Sequence, residues 1–274
     1  MNFAVRADFS WPNVPIEIPF AGSVIVLSPA TEELCCTASL FDPAGFAFEE
    51  GATRLSRFIS RLAWSQRGGV EEYFAIGTND PKRPGRLGIG TYARSAWADV
   101  EPWHQLYLPS LPTPAASLAI ALFREGMSLS SEPLRFLSFF KVLNVVFSDG
   151  PAQQSWLNSN LHLVRYGRAF ERLSELQTQH PNIGQYLYVQ GRCAVAHAYS
   201  NPVVDPDNYS DRVRLRDDLP LIKAMAGFCI ERELNVPTTD RFFATHRNSA
   251  VLPPEYLAPG PGPNGRVRYE PLPE

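Results

Sequence analysis

The sequence predicts an α+β protein: a β-rich N-terminal module, then an all-α helical bundle, then an extended proline-rich tail. Three observations carry this. Short β-type runs alternate with turn residues up to residue 110. From Pro114 the apolar residues recur at helical spacing. The last stretch, Val251 to Glu274, holds seven prolines and three glycines. The expected division is 1–110, 111–250 and 251–274.

In the first part, "VPIEIPF", "SVIVLS", "LCCTASL", "EEYFAIGT" and "GRLGIGTYA" read as strands. One helix interrupts them, "GATRLSRFISRLAWSQ". Its Leu55, Phe58, Ile59 and Leu62 stand at i, i+3, i+4 and i+7, a stripe that faces a core. Arg54, Arg57 and Arg61 recur on the same helix as a basic stripe opposite the apolar one. Such a stripe can meet RNA phosphates; the simpler reading is a solvated face. "RPGRLGIG" precedes no helix and lacks Lys-Ser/Thr, so it is a turn and not a phosphate loop.

The prolines of "YLPSLPTPAAS" mark the boundary. Thr113-Pro114 is an N-cap with proline in the first turn, and opens "AASLAIALFREGMSL". Ser131-Glu132-Pro133 opens "LRFLSFFKVLNVVF", apolar on most sides and so central. A third helix runs through "QQSWLNSNLHLVRYGRAFERLSELQTQ" to the break at His180-Pro181-Asn182. The fourth covers "IGQYLYVQGRCAVAHAYS" and stops at Asn201-Pro202. The last covers "LPLIKAMAGFCIEREL". Five helices with short connections make an antiparallel bundle. The tail cannot form helix and is expected to be extended.

The net charge of −3 and pI of about 6.0 exclude a global field for nucleic acid, so any RNA contact needs a local patch. No apolar run approaches the roughly 18 residues of a membrane span, and no N-terminal signal pattern is present. Cys35, Cys36, Cys193 and Cys229 form no C-x-x-C pair, which removes zinc-ribbon and thioredoxin-like chemistry. The expectation is a cytoplasmic protein without membrane attachment. The histidines are dispersed, with no H-E-x-x-H, so neither a metal nor another cofactor is expected.

One segment looks chemical: "YVQGRCAVAHAYSNP", with Arg192 and His197 among small residues. Five steps of an ideal α-helix turn the pair about 140° apart. A straight helix therefore does not unite them. Either the helix loosens towards Asn201-Pro202, or two copies of the motif converge across a two-fold axis. The small residues between them let another backbone come close. Histidine titrates near neutrality and moves protons. Guanidinium grips phosphate oxygens as a fork. Together they suit metal-independent cleavage of a phosphodiester. The alternative is a helix that only packs. Asp205, Asp207 and Asp211 follow in "DPDNYSD". They read as Asx turns and caps that can also orient the pair.

The segments "SLAIALFREGMSLSSEPLRFLSFFKVLNVVF", "YLYVQGRCAVAHAYSNPVVDPDN" and "DRVRLRDDLPLIKAMAGF" together resemble the methylamine utilization protein MauJ family and its Apea-like HEPN relatives, with an R-x4-H motif. The resemblance spans Pro114 to Val236. It implies a HEPN-like bundle that dimerises through the motif helix. It also implies metal-independent ribonuclease or RNA-binding function, with Arg192 on phosphate and His197 as general acid/base. HEPN nucleases often carry a polar residue after the arginine. Here that position is Cys193, a weak donor. The rival expectation is a non-catalytic accessory protein of methylamine utilization that binds a nucleotide or a protein partner.

Overall fold

The computed structural model describes residues 1–32, 34–76, 107–198, 201–205, 208–246, 257–261 and 267–271. In chain order, β1 is Asn2–Ala7, β2 Ile16–Phe20, β3 Ser23–Ser28 and β4 Thr37–Phe41. Helix α1 is Phe48–Gln66 and β5 is Val70–Ile76. Then come α2 Pro114–Ser128, α3 Glu132–Val146, α4 Gly150–Asn160, a 3-10 turn Leu161–Leu163 and α5 Gly167–Gln179. Next are α6 Ile183–Tyr186, a π-helical segment Leu187–Cys193 and α7 Ala194–Ala196. The chain closes with α8 Tyr209–Glu233, α9 Thr239–His246, β6 Leu257–Pro261 and β7 Val267–Pro271. The fold is α+β.

The contacts group into two compact units, Met1–Ser110 with Thr238–Glu274, and Leu111–Pro237. In the first, the described strands form a seven-stranded sheet ordered β5-β1-β4-β3-β2-β7-β6. The five N-terminal strands pair antiparallel throughout. Their hairpin β2–β3 turns on Ala21 and Gly22, with φ of 48° and 77°. Positive φ at both central residues matches the strand twist, and glycine reaches it without strain. Along β2 and β3, Ile16, Ile18, Phe20, Ile25 and Leu27 go into the core. Helix α1 lays Leu55, Phe58, Ile59 and Leu62 on that face, each with no exposed surface. The Phe58 ring meets Phe20 edge-on at 5.4 Å. Two described segments of the tail are extended and join the sheet. Strand β7 runs parallel to β2, with Val267 opposite Ile16, and β6 pairs antiparallel with β7. The prolines 259 and 261 fall on β6, the outermost strand, where a missing N–H does least harm. The run "GRLGIGTYA" lies outside the described residues.

In the second unit, Phe136, Phe139 and Phe140 of α3 are fully buried, so α3 is the central helix. Thr113 caps α2 by accepting from the Ala116 N–H at 3.1 Å. The expected third helix is broken. After Asn160 the chain passes through the 3-10 turn and restarts at Gly167, whose φ is +69°. A right-handed helix cannot continue through that value. Helix α8 begins ten residues ahead of the expected Leu219. Asn208 caps it, accepting from the Ser210 N–H at 2.9 Å, and Pro220 sits inside it.

Candidate functional site

The motif helix starts at Asn182, whose side chain accepts from the Gln185 N–H at 2.9 Å. It begins as α-helix and widens to π over Leu187–Cys193. Two glycines let it approach its neighbours. A Cβ on Gly184 would meet the Gln154 carbonyl of α4. One on Gly191 would enter the Phe136 ring of α3. The small residues thus serve packing within this chain at Gly191 and at Ala194, which is buried. The helix ends at Ala196, and His197 is extended at φ −132° and ψ 112°. Its N–H still donates to the Cys193 carbonyl at 3.0 Å, and the Val204 N–H returns to the Ala194 carbonyl at 3.0 Å. These bonds satisfy carbonyls that a helix end leaves open.

The pair's geometry is set at the helix end: Arg192 lies in the π segment, which stops at Cys193, and His197 is extended beyond the α-type turn Ala194–Ala196. A π register pairs i with i+5 and turns less per residue than α. With His197 leaving the helix, the expected 140° offset disappears. Arg192 Nη1 lies 3.1 Å from His197 Nε2 in a single copy. Arginine can only donate. Nε2 therefore presents its lone pair, and the ring proton sits on Nδ1. Arg192 Nη1 is also 3.8 Å from Cys193 Sγ. Its Cζ stands 5.7 Å from the centroid of the Tyr188 ring. Its Nε is buried with no hydrogen-bond partner among the described residues. Burial pushes the Tyr188 phenol up, and the adjacent Cys193 thiol adds to it.

Of the other residues singled out in the sequence, Asp205 is exposed and its N–H donates to the Asp211 carboxylate at 3.1 Å. Asp207 lies outside the described residues. On α1 the three arginines do not form one stripe opposite the core. Arg54 pairs with Asp42 at 2.7 Å and Glu50 at 2.6 Å, at the edge of the apolar face. Arg61 lies over the Phe20 ring at 4.8 Å. Burial lowers its pKa, and Arg57 adds to that. Only Arg57 of the three is classed exposed. The helical geometry explains this, since positions 54 and 61 stand beside the stripe of 55, 58, 59 and 62.

The sequence reading missed a buried polar cluster in the same unit. Asp218 of α8 has no exposed surface. Its carboxylate accepts from Arg172 Nε of α5 and from the Tyr186 hydroxyl, both at 2.9 Å. Arg214 of α8 stands 3.9 Å away and donates to the Gln190 carbonyl at 2.9 Å. Burial pushes the Asp218 carboxyl up against the pull of Arg172, Tyr186 and Arg214. Burial would lower the Arg172 guanidinium, but Glu175 and Asp218 outweigh it and hold it above its ordinary value. With two donors at hydrogen-bonding distance, the ionised carboxylate is the form this geometry serves. Burial and Asp218 together raise the Tyr186 phenol. The signal was in the sequence. Leu215, Asp218, Leu219 and Ile222 stand at i, i+3, i+4 and i+7, which puts an acid in a core stripe.

Among the described residues, no group of three or more His, Cys, Asp or Glu is placed to hold a metal ion. No helix there is long and apolar enough to cross a membrane. None of the curated proteins and none of the solved structures compared with the chain matches it. Residues 119–231 do match a family model, described as Methylamine utilization protein MauJ. That span runs from α2 into α8 and contains Arg192, His197, Arg214 and Asp218. By that match the helical segment that carries the Arg192–His197 pair is similar to the MauJ family.

Proposed function

We propose that Arg192 and His197 form a metal-independent RNA-cleaving site in a HEPN-type bundle. The observation that carries this is the 3.1 Å contact between Arg192 Nη1 and His197 Nε2. It fixes Nε2 as the acceptor nitrogen and sets a fixed cation beside it. An entering phosphate takes the guanidinium through its terminal nitrogens. Nε2 then accepts the proton of the neighbouring ribose 2′-hydroxyl. The 2′ oxygen attacks phosphorus, and the bond to the 5′ oxygen breaks. The proton returns to that leaving oxygen from the imidazolium. The products are a cyclic phosphate and a 5′-hydroxyl end. Arg192 stabilises the charge that grows on the non-bridging oxygens.

The same reading includes a homodimer through the motif helix. Ala196 and Ala198 are exposed, small and next to His197, which suits close approach of a second copy. Exposed Arg57 is a candidate contact for RNA phosphates. The test is incubation of the purified protein with single-stranded RNA and tRNA in excess EDTA. Cleavage that leaves cyclic-phosphate ends supports the proposal; intact RNA across the panel sinks it.

A second reading follows from the description of the matching family, which ties it to methylamine utilization. There the bundle is a non-catalytic accessory protein that binds a nucleotide or a protein partner. Cys193 beside Arg192, in place of a stronger donor, favours it. Capture of one specific partner without nuclease activity distinguishes this reading.

A further inference from the structure

The π segment that carries Arg192 has a stabiliser outside the helix. At the end of the segment, the Ala194 N–H donates to the carbonyls of Gly191 and Val189, at i−3 and i−5. It bypasses Gln190, the i−4 carbonyl that an α-helix would use. That carbonyl accepts instead from Arg214 Nη1 at 2.9 Å. Arg214 is in turn held from its own helix. Asp211 Oδ1 is 3.6 Å from Nη2, and Asp218 Oδ2 is 3.9 Å from Nη1. Asp218 also binds the Tyr186 hydroxyl, one residue before the π segment begins. The same α8 surface thus grips the segment at its start and at the carbonyl its register leaves over.

We propose that Arg214 is a positioning residue. By occupying the Gln190 carbonyl, it holds the π register of the segment that carries Arg192, and so fixes the backbone from which Arg192 reaches His197. Asp211 and Asp218 aim it. Removing the donor leaves the Gln190 carbonyl open to the Ala194 N–H. The α register is then restored locally, and the two side chains rotate apart. This rests on the reading of Arg192 and His197 as the site. Its test is separate, because it reads the imidazole and not RNA.

The experiment is nitrogen-15 NMR of the full chain with labelled histidine, with the His197 signals assigned from His197→Gln. Wild type should show the Nδ1–H tautomer, with Nε2 as an acceptor. Arg192→Ala gives the spectrum of an imidazole without its arginine. Arg214→Met should move His197 to that same position, while Arg214→Lys, which keeps a donor, should stay near wild type. If Arg214→Met does not fold, Asp211→Asn should give a partial shift in the same direction. A wild-type His197 spectrum in folded Arg214→Met, or in Asp211→Asn when Arg214→Met is unfolded, overturns the proposal. Either outcome is independent of whether the protein cleaves RNA.

Discussion

Arg192 and His197 meet within one chain, with Nη1 3.1 Å from Nε2, although an ideal α-helix sets residues five apart at about 140°. The pair depends on a helix end at Ala196 that leaves His197 extended, next to a π segment that carries Arg192 and glycines that admit close packing. Each of these can be perturbed separately.

Gly191 is the most exposed to a test by volume. A Cβ there enters the ring of Phe136, which is fully buried and cannot move freely. Gly191→Ala should lower stability by about 1–3 kcal/mol, the usual cost of overpacking. Denaturant unfolding checks it, and adding Phe136→Leu should recover part of the loss. A Gly191→Ala protein as stable as wild type would show that the motif helix does not pack as described.

Asp42 links the sheet unit to pH. The Ala44 N–H, then Arg54 and Ser23, hold its carboxyl below the ordinary 3.8. A depressed carboxylate contributes stability that is fully present above its ordinary value and lost as pH falls through the folded one. Wild type should therefore lose more stability on acidification below about pH 4 than Asp42→Asn does. Thermal melts across that range measure it, and parallel curves would contradict the assignment.

Cys229 should be chemically silent. It is fully buried, and burial first, then Glu233, pushes its thiol up to about 12. At pH 8 its thiolate is scarcer than that of an ordinary thiol by about a thousandfold. Alkylation of the native protein should spare Cys229 and label the half-buried Cys35, Cys36 and Cys193. Mass spectrometry reads this directly, and rapid labelling of Cys229 would mean that the α8 core opens readily.

Much of the fold was legible because it follows periodic rules. Leu55, Phe58, Ile59 and Leu62 stand at helical spacing, and all four are buried. Thr113 before Pro114 marks a cap that is made. "SVIVLS" coincides with β3. What was not legible depends on partners far away in sequence or on local departures from a regular helix. The break before "GRAF" rests on extended Val164 and Tyr166 and on the positive φ of Gly167, none of which the sequence announces. The tail's strands need β2, some 250 residues earlier, to pair with. The π segment carries no period of its own. Its cause lies partly on α8, in Arg214. Hence the sequence could name Arg192 and His197, and could offer a loosened helix as one way to join them. It could not show that His197 leaves the helix after Ala196, which brings the two together.

The most direct measurement is RNA cleavage in EDTA by wild type and by His197→Ala, with circular dichroism confirming that the variant folds. The account predicts cleavage by wild type and a loss of about 10²–10⁴-fold in the variant, the usual share of a general acid/base. Cleavage at the wild-type rate by folded His197→Ala would contradict it.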